Sequence, residues 1–252
     1  MSLTLISLAI LSGAFIGAVL GFVGAGGAMV SVPILIYIFD FETTAATTAA
    51  LAVVFLAALS GLIPKWRIKD VLVKEALVIW AIGLITNIGF SLYVDRLPKN
   101  VVLIGFSLVL SVAAVSMLRA PITAKPEQKM SNLSLILLSL IIGSLTGLFG
   151  IGGGFLAIPV LVLFYNTAQN KAAGTSLLII SLNCFTAFIA RIHSWNEVKW
   201  QYPIIIALVA VMVAQFAAKV APKAPTKILK TSFAYLLFAI AIFNLWHAIA
   251  TS

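Results

Sequence analysis

The chain has 252 residues, 62% of them hydrophobic and 9% charged, with a formal net charge of +9. A soluble domain carries roughly 25% charged residues, so this composition excludes a chain that covers its surface with water-facing side chains. The positive charge is no sign of nucleic acid either, because the Lys and Arg lie between apolar runs of about 20 residues, the length that crosses a bilayer; topology and contact with membrane lipids account for it.

In chain order, residues 3–20 form the first predicted span, with Ser12, Gly13 and Gly17 as a small-residue face for close helix approach. No Lys or Arg precedes it, so it is expected to be a retained helix and not a secretory signal. A glycine-rich stretch, 21–33, interrupts it. The apolar piece 28–39 is too short to span upright and ends at Asp40 and Glu42. Residues 43–63 form the next span, opened by Thr43, Thr44, Thr47 and Thr48, and a basic loop with Lys65, Trp66, Arg67 and Lys69 follows. Spans 76–94 and 101–118 complete this half. The polar linker 121–131 separates repeat 1–120 from repeat 132–252. The second repeat reads 133–146, a second glycine stretch, a short piece 155–165, span 172–192, a loop with Arg191, His193, Trp195, Glu197 and Lys199, span 202–218, a basic loop, and span 231–250. Trp66, Trp195, Trp200 and Trp246 read as interface anchors, and the single Cys184 as packing.

The two glycine stretches are copies. Residues 21–33 read GFVGAGGAMVSVP and residues 147–159 read GLFGIGGGFLAIP, and Pro33 and Pro159 stand 126 residues apart, half the chain. The expected fold is therefore an all-α polytopic membrane protein of two homologous halves, each with a Gly-broken helix. Whether each short piece crosses or re-enters is decided by charge. With re-entrant pieces (a 4+4 arrangement) the Lys and Arg divide nine to seven between the two sides. With crossing pieces (5+5) they divide twelve inside to four outside, the latter being Arg96, Lys99, Arg191 and Lys199. The positive-inside bias favours 5+5, which is odd per half and so inverts the repeat, with both termini outside the cytoplasmic (inner) membrane.

A backbone break inside lipid leaves N–H and C=O groups that need partners, so it is tolerated where it lines a cavity or binds a ligand. A helix restarting after the break offers free N–H groups and the positive end of its dipole to an anion, with no arginine required. The candidate binding groups are Gly24, Gly26 and Gly27 in the first stretch and Gly150, Gly152, Gly153 and Gly154 in the second. Hydroxyls of Thr47, Thr48, Thr175 and Ser176 and the mid-span amides of Asn87, Asn183 and Gln215 add to them. Packing glycines and back-bonded hydroxyls are the plainer alternative. Gly24-Ala25-Gly26 is no dinucleotide loop, since no soluble strand precedes it and it lies in an apolar run. No Walker lysine, HExxH or GxSxG occurs, so neither cofactor, metal nor catalytic residue is expected. A homo-oligomer is compatible with the sequence.

The duplicated G-x-x-G-x-G-G-x-x-x-x-x-P, followed by Gly174-Thr175-Ser176-Leu177 in the second half and Thr47-Thr48-Ala49-Ala50-Leu51 in the first, resembles the TauE/SafE family of sulfite-exporter-like membrane permeases. The first half departs from the pattern at Ala28 and at Thr-Thr-Ala-Ala, so the half-sites are expected to contribute unequally. The resemblance implies secondary transport of small sulfur-containing anions: sulfite, sulfonate, sulfoacetate or thiosulfate. A passive anion channel, and a membrane enzyme or receptor without transport, are the alternative readings.

Overall fold

The computed structural model describes residues 3–93, 96–119, 132–149 and 169–223, with short pieces at 157–158, 161, 167, 231, 234–235, 237–243 and 245–246. The described elements are helical: α1 (Leu3–Val23), α2 (Gly27–Tyr37), α3 (Thr43–Arg67), α4 (Val73–Tyr93), α5 (Lys99–Arg119), α6 (Asn132–Phe149), α7 (Gln169–Ala190) and α8 (Gln201–Val220), with a short 3-10 turn over Ile192–Glu197 between the last two. Five of them, α1, α3, α4, α7 and α8, are long and apolar enough to cross a membrane. The chain is an all-α polytopic membrane protein.

Burial sorts these helices into two layers. α3 and α7 have 72% and 67% of their spanning windows buried, against 28–39% for α1, α4 and α8. The central pair is rich in Ala, Gly, Ser and Thr, which lets backbones approach where no hydrophobic effect drives helices together. The outer helices turn Leu11, Phe15, Ile85, Met212 and Phe216 outwards, as lipid-facing surfaces require.

The contacts give each pair a direction. Thr47 meets Arg191, Phe55 meets Phe185, and Gly61 and Lys65 lie against Leu177 and Gly174, so α3 and α7 run antiparallel. Leu72 meets Thr175 and Asn87 meets Asn183, so α4 and α7 run parallel. α1 packs along α8, with Gly13, Gly17 and Gly21 against Ile206, Ala210 and Ala214 in order. α6 packs along α4 in the same parallel sense, with Gly143 and Gly147 against Gly83 and Asn87. α1 thus lies along α8, and α6 along α4.

The small-residue face expected on α1 is this contact. A methyl at Gly17 would lie 2.6 Å from the Ala210 carbonyl oxygen and 3.0 Å from both Ala210 Cα and Ala214 N. All three are backbone atoms and cannot rotate aside. Gly17→Ala is therefore expected to destabilise the detergent-solubilised protein by about 1–3 kcal/mol, read as a fall in Tm. Gly89→Ala is the control: nothing lies within 4 Å of its added methyl, and Ala is the better helix former by about 1 kcal/mol, so its Tm should hold or rise.

The helices run past the predicted ends. α3 continues through Pro64 to Arg67, so Lys65, Trp66 and Arg67 belong to a helix and not to a loop. The first glycine break also sits elsewhere than expected. α1 runs 21 residues before it, about 31 Å at 1.5 Å per residue, so the break follows a full span instead of interrupting one at mid-depth. α6 likewise continues through Gly147 to Phe149. Most of the short piece 155–165 and the span 231–250 lie outside the described residues.

Candidate functional site

The polar groups of the core occur at three levels along α7. Thr175, Asn183 and Arg191 are eight residues apart, so successive levels are separated by about 12 Å.

The first level holds the first glycine break. Gly24 (φ 76) and Gly26 (φ 84) are in the left-handed region, which a side chain adopts only at a cost and glycine adopts freely. They end α1 and start α2, with the Gly24 N–H bonded back to Leu20 O at 2.8 Å. Gly24 is pressed on Ala173, and Gly27 on Leu20. Two residues on, the Thr175 hydroxyl accepts from the Leu72 N–H at 2.9 Å and donates to Lys171 O at 2.7 Å. Ser176 beside it is fully buried. Lys65, at the end of α3, is 1% exposed.

The second level is an amide pair. Asn87 Nδ2 donates to Asn183 O (3.0 Å), Asn183 Oδ1 (3.3 Å) and Thr186 Oγ1 (2.8 Å). Asn87 is 0% and Asn183 1% exposed. Among the described residues, Asn87 Oδ1, Asn183 Nδ2 and the hydroxyl of Ser91, one turn along α4, have no hydrogen-bond partner. Buried polar atoms of this kind are rare because each forfeits its hydration without compensation, and here the Asn87 oxygen and the Asn183 NH2 lie between α4 and α7, with the Ser91 oxygen one turn along α4.

The third level is Arg191, just after α7 and 0% exposed. Its Nη1 donates to Thr47 Oγ1 at 2.8 Å. Its Nη2 donates to the carbonyls of Gly147 and, at 3.5 Å, Leu148, where the second glycine stretch begins. Thr47 in turn donates to Thr44 O at 3.0 Å. Thr48 beside it is fully buried with its hydroxyl unpartnered among the described residues. A guanidinium thus ties the start of α3 in the first half to the end of α6 in the second, through charge-assisted bonds that are stronger than neutral ones.

Of the residues singled out from sequence, the structure brings Gly24, Gly26 and Gly27 to one level with Thr175 and Ser176. It joins Asn87 to Asn183 and places Thr47 and Thr48 at the Arg191 end. Gln215 joins none of these. It is half-buried on α8, beside Ala214, which packs on Gly17, Gly21 and Gly61. Gly150, Gly152, Gly153 and Gly154 lie outside the described residues. Trp66 and Trp246 are exposed, as anchors should be, whereas the indoles of Trp195 and Trp200 donate to the carbonyls of Phe188 and Trp195 and close the turn after α7. Cys184 is a free, fully buried thiol.

Sequence reasoning missed Arg191 and Lys65, which it counted as loop charges of opposite sides. Without them the bias is eleven to three, still positive inside. The signal was there in the repeat: Lys65 and Arg191 are 126 residues apart, the offset that superposes the glycine stretches. The same offset pairs Gly21 with Gly147 and Ser60 with Thr186. It sets Val213, Ala217 and Ala57 where Asn87, Ser91 and Asn183 stand. The cations are therefore duplicated, and the amide pair is made once.

A cavity of about 250 Å³ opens near the start of α3, lined by Asp40, Phe41, Glu42, Ala45, Glu197 and Lys199. Three carboxylates against one ammonium make this opening unfavourable for an anion. Among the described residues no group of His, Cys, Asp and Glu is placed to hold a metal ion.

Buried cations, unsatisfied amides and a glycine break in a bundle of helices long enough to span define a multi-pass membrane protein with polar groups between its central helices. The chain belongs to the sulfite exporter TauE/SafE family, whose description matches residues 9–244. It is 26% identical over 255 residues to a probable membrane transporter protein of Xylella fastidiosa, covering 95% of both chains. It is also 26% identical to probable membrane transporter proteins of Methanocaldococcus jannaschii, over 96% of each chain, and of Bacillus subtilis, over 85% of this chain and 88% of that one.

Proposed function

We propose that the protein is a secondary transporter of small sulfur-containing anions, of the sulfite, sulfonate, sulfoacetate or thiosulfate type, in the cytoplasmic membrane. It is not an enzyme in this reading. The observation that carries it is the Arg191 guanidinium, buried against Thr47 and the start of the second glycine stretch. A cation is expensive inside a membrane protein and marks a substrate or ion path by default. Family membership and relatives named as probable membrane transporters support the same reading. The mid-depth station in this reading is the Asn87–Asn183 level instead of the first glycine break, which follows a full span. There the unpartnered Asn183 Nδ2 and Ser91 hydroxyl suit oxyanion oxygens, and Asn87 Oδ1 suits the hydroxyl of a protonated one.

The halves are read as an inverted repeat of five elements each, with both termini outside. Antiparallel α3 and α7, equivalent in the two halves, support inversion, because a parallel 4+4 repeat would run them the same way. Rocking of the halves about the amide level gives alternating access, driven by an ion or proton gradient or by the anion's own gradient.

The test is thermal stabilisation of the detergent-solubilised protein by sulfite, thiosulfate, sulfate, sulfoacetate, taurine and non-sulfur anions, followed by flux in liposomes. A ligand at 100 times its Kd adds about 2.7 kcal/mol, a shift of several degrees in Tm. Selective stabilisation by one sulfur anion, with saturable flux and counterflow of that anion, is the expected result. Flux without saturation or counterflow would make the protein a channel. Turnover without flux would make it an enzyme.

A further inference from the structure

Lys65 and Arg191 are the two least exposed cations of the described chain, at 1% and 0%. They stand 126 residues apart, the offset of the glycine stretches. Each closes the C-terminal end of one of the two central, antiparallel helices: Lys65 in the last turn of α3, Arg191 directly after α7. Each adjoins a glycine segment. Arg191 holds the carbonyls of Gly147 and Leu148. Lys65 Cβ lies 3.2 Å from the position a Gly174 Cβ would take, next to the Ala173 on which Gly24 is pressed. Because α3 and α7 are antiparallel, the two cations lie at opposite ends of the pair. Arg191 is at the level of Thr47, and about eighteen residues of α3, roughly 27 Å of helix, separate that level from Lys65.

Two features argue against simple stapling of helix ends. An exposed Lys or Arg satisfies a helix C-terminus through the dipole at little cost, whereas a buried one gives up its hydration. The residues between the two cations have also diverged, Asn87 and Asn183 being matched by Val213 and Ala57. Positive charge at both ends is what the two halves keep in common, while the middle is specialised. Beyond the acidic mouth at the start of α3, this layout gives an anion one buried cation at each end of the path and neutral donors between.

Resting on the transport reading above, we propose that Lys65 and Arg191 are substrate-binding residues, each contacting the oxyanion when the path is open to its own face. Arg191 serves the face at the start of α3, and Lys65 serves the opposite face. The class of ligand is a small tetrahedral or pyramidal oxyanion, which the guanidinium meets with a planar fork and the ammonium as a point charge.

The test is the KM for radiolabelled sulfite, measured from each face in right-side-out and inside-out membrane vesicles. Thiosulfate and sulfoacetate are run in parallel. Arg191→Gln is expected to raise KM at least tenfold from one face and less than about twofold from the other, and Lys65→Gln to do the converse, the scale of a lost charged hydrogen bond. If a Gln variant does not reach the membrane, Arg191→Lys and Lys65→Arg replace it, with an expected shift of about threefold on the same single face, since the two cations are not interchangeable. KM changes equal on both faces, or a fall in Vmax and Tm at constant KM, would overturn the end stations and leave transport intact. No flux of any of the three anions through the unaltered protein would overturn the transport reading, and this proposal with it.

Discussion

Asn87→Val combined with Asn183→Ala is expected to give a protein that folds and no longer transports. The pair of substitutions copies Val213 and Ala57, the residues at the matching positions of the other half. The energetics favour survival of the fold. Interhelical hydrogen bonds inside membrane bundles average only about 0.6 kcal/mol by double-mutant cycles, and removing both partners for apolar groups is far cheaper than removing one. Thr186 keeps its own bonds to Leu182 O and Asn183 O, both at 3.0 Å, when Asn87 is gone. Asn87→Val alone should be worse for stability than the double change, by about 1–3 kcal/mol, because it leaves the buried Asn183 Oδ1 without its donor. Flux should fall by two orders of magnitude or more in both. The measurement is Tm and initial sulfite uptake on the same preparations. A double variant with restored Tm and near-normal uptake would make the amide pair a structural contact only.

The apolar runs, their number and the paired glycine stretches were legible because membrane insertion imposes length and hydrophobicity on each segment separately. Helix ends were less so. Cutting each run at its first charge put Lys65 and Arg67 in a loop, although a basic last turn suits the helix dipole and leaves α3 intact to Arg67. The depth of the first break was misjudged too. Gly13, Gly17 and Gly21 look like weak points in a helix, but they are where α1 meets α8, and α1 runs unbroken until Gly24. What no local pattern carries is partnership. Asn87 finds Asn183 across 96 residues and Arg191 finds Thr47 across 144, and those meetings depend on helices far apart in the sequence packing together, α1 along α8 and α6 along α4 among them. The repeat offset held part of this information, since it aligns the two buried cations, yet a single Lys or Arg beside an apolar run reads first as a topology charge.

Gly24→Ala should be the most destabilising single methyl in the first half. Two costs add. The residue has φ 76, and a side chain in the left-handed region costs about 1–2 kcal/mol. The new methyl would also lie 2.6 Å from Ala173 Cβ, 2.7 Å from its Cα and 2.8 Å from its carbonyl oxygen, an overpacking of about 1–3 kcal/mol. Two of those three neighbours are backbone, so relief requires α7 to move away from the break. Ala173→Gly in the same chain removes only the Cβ contact. It should recover less than half of the loss, leaving the conformational term and the backbone contacts untouched. A double-mutant cycle on Tm measures this directly. Full recovery would mean that the Cβ contact is the entire penalty and that the left-handed turn tolerates a side chain. No loss in Gly24→Ala would mean that α7 does not press on the break at all, and Gly24 would then be a free linker instead of the packed hinge between α1 and α2. Uptake adds the functional half of the test. If the break only connects helices, transport should fall in proportion to the folded fraction. If it moves during the cycle, the folded Gly24→Ala/Ala173→Gly protein should turn over more slowly at unchanged KM, because the added strain falls on the conformational step and not on anion binding.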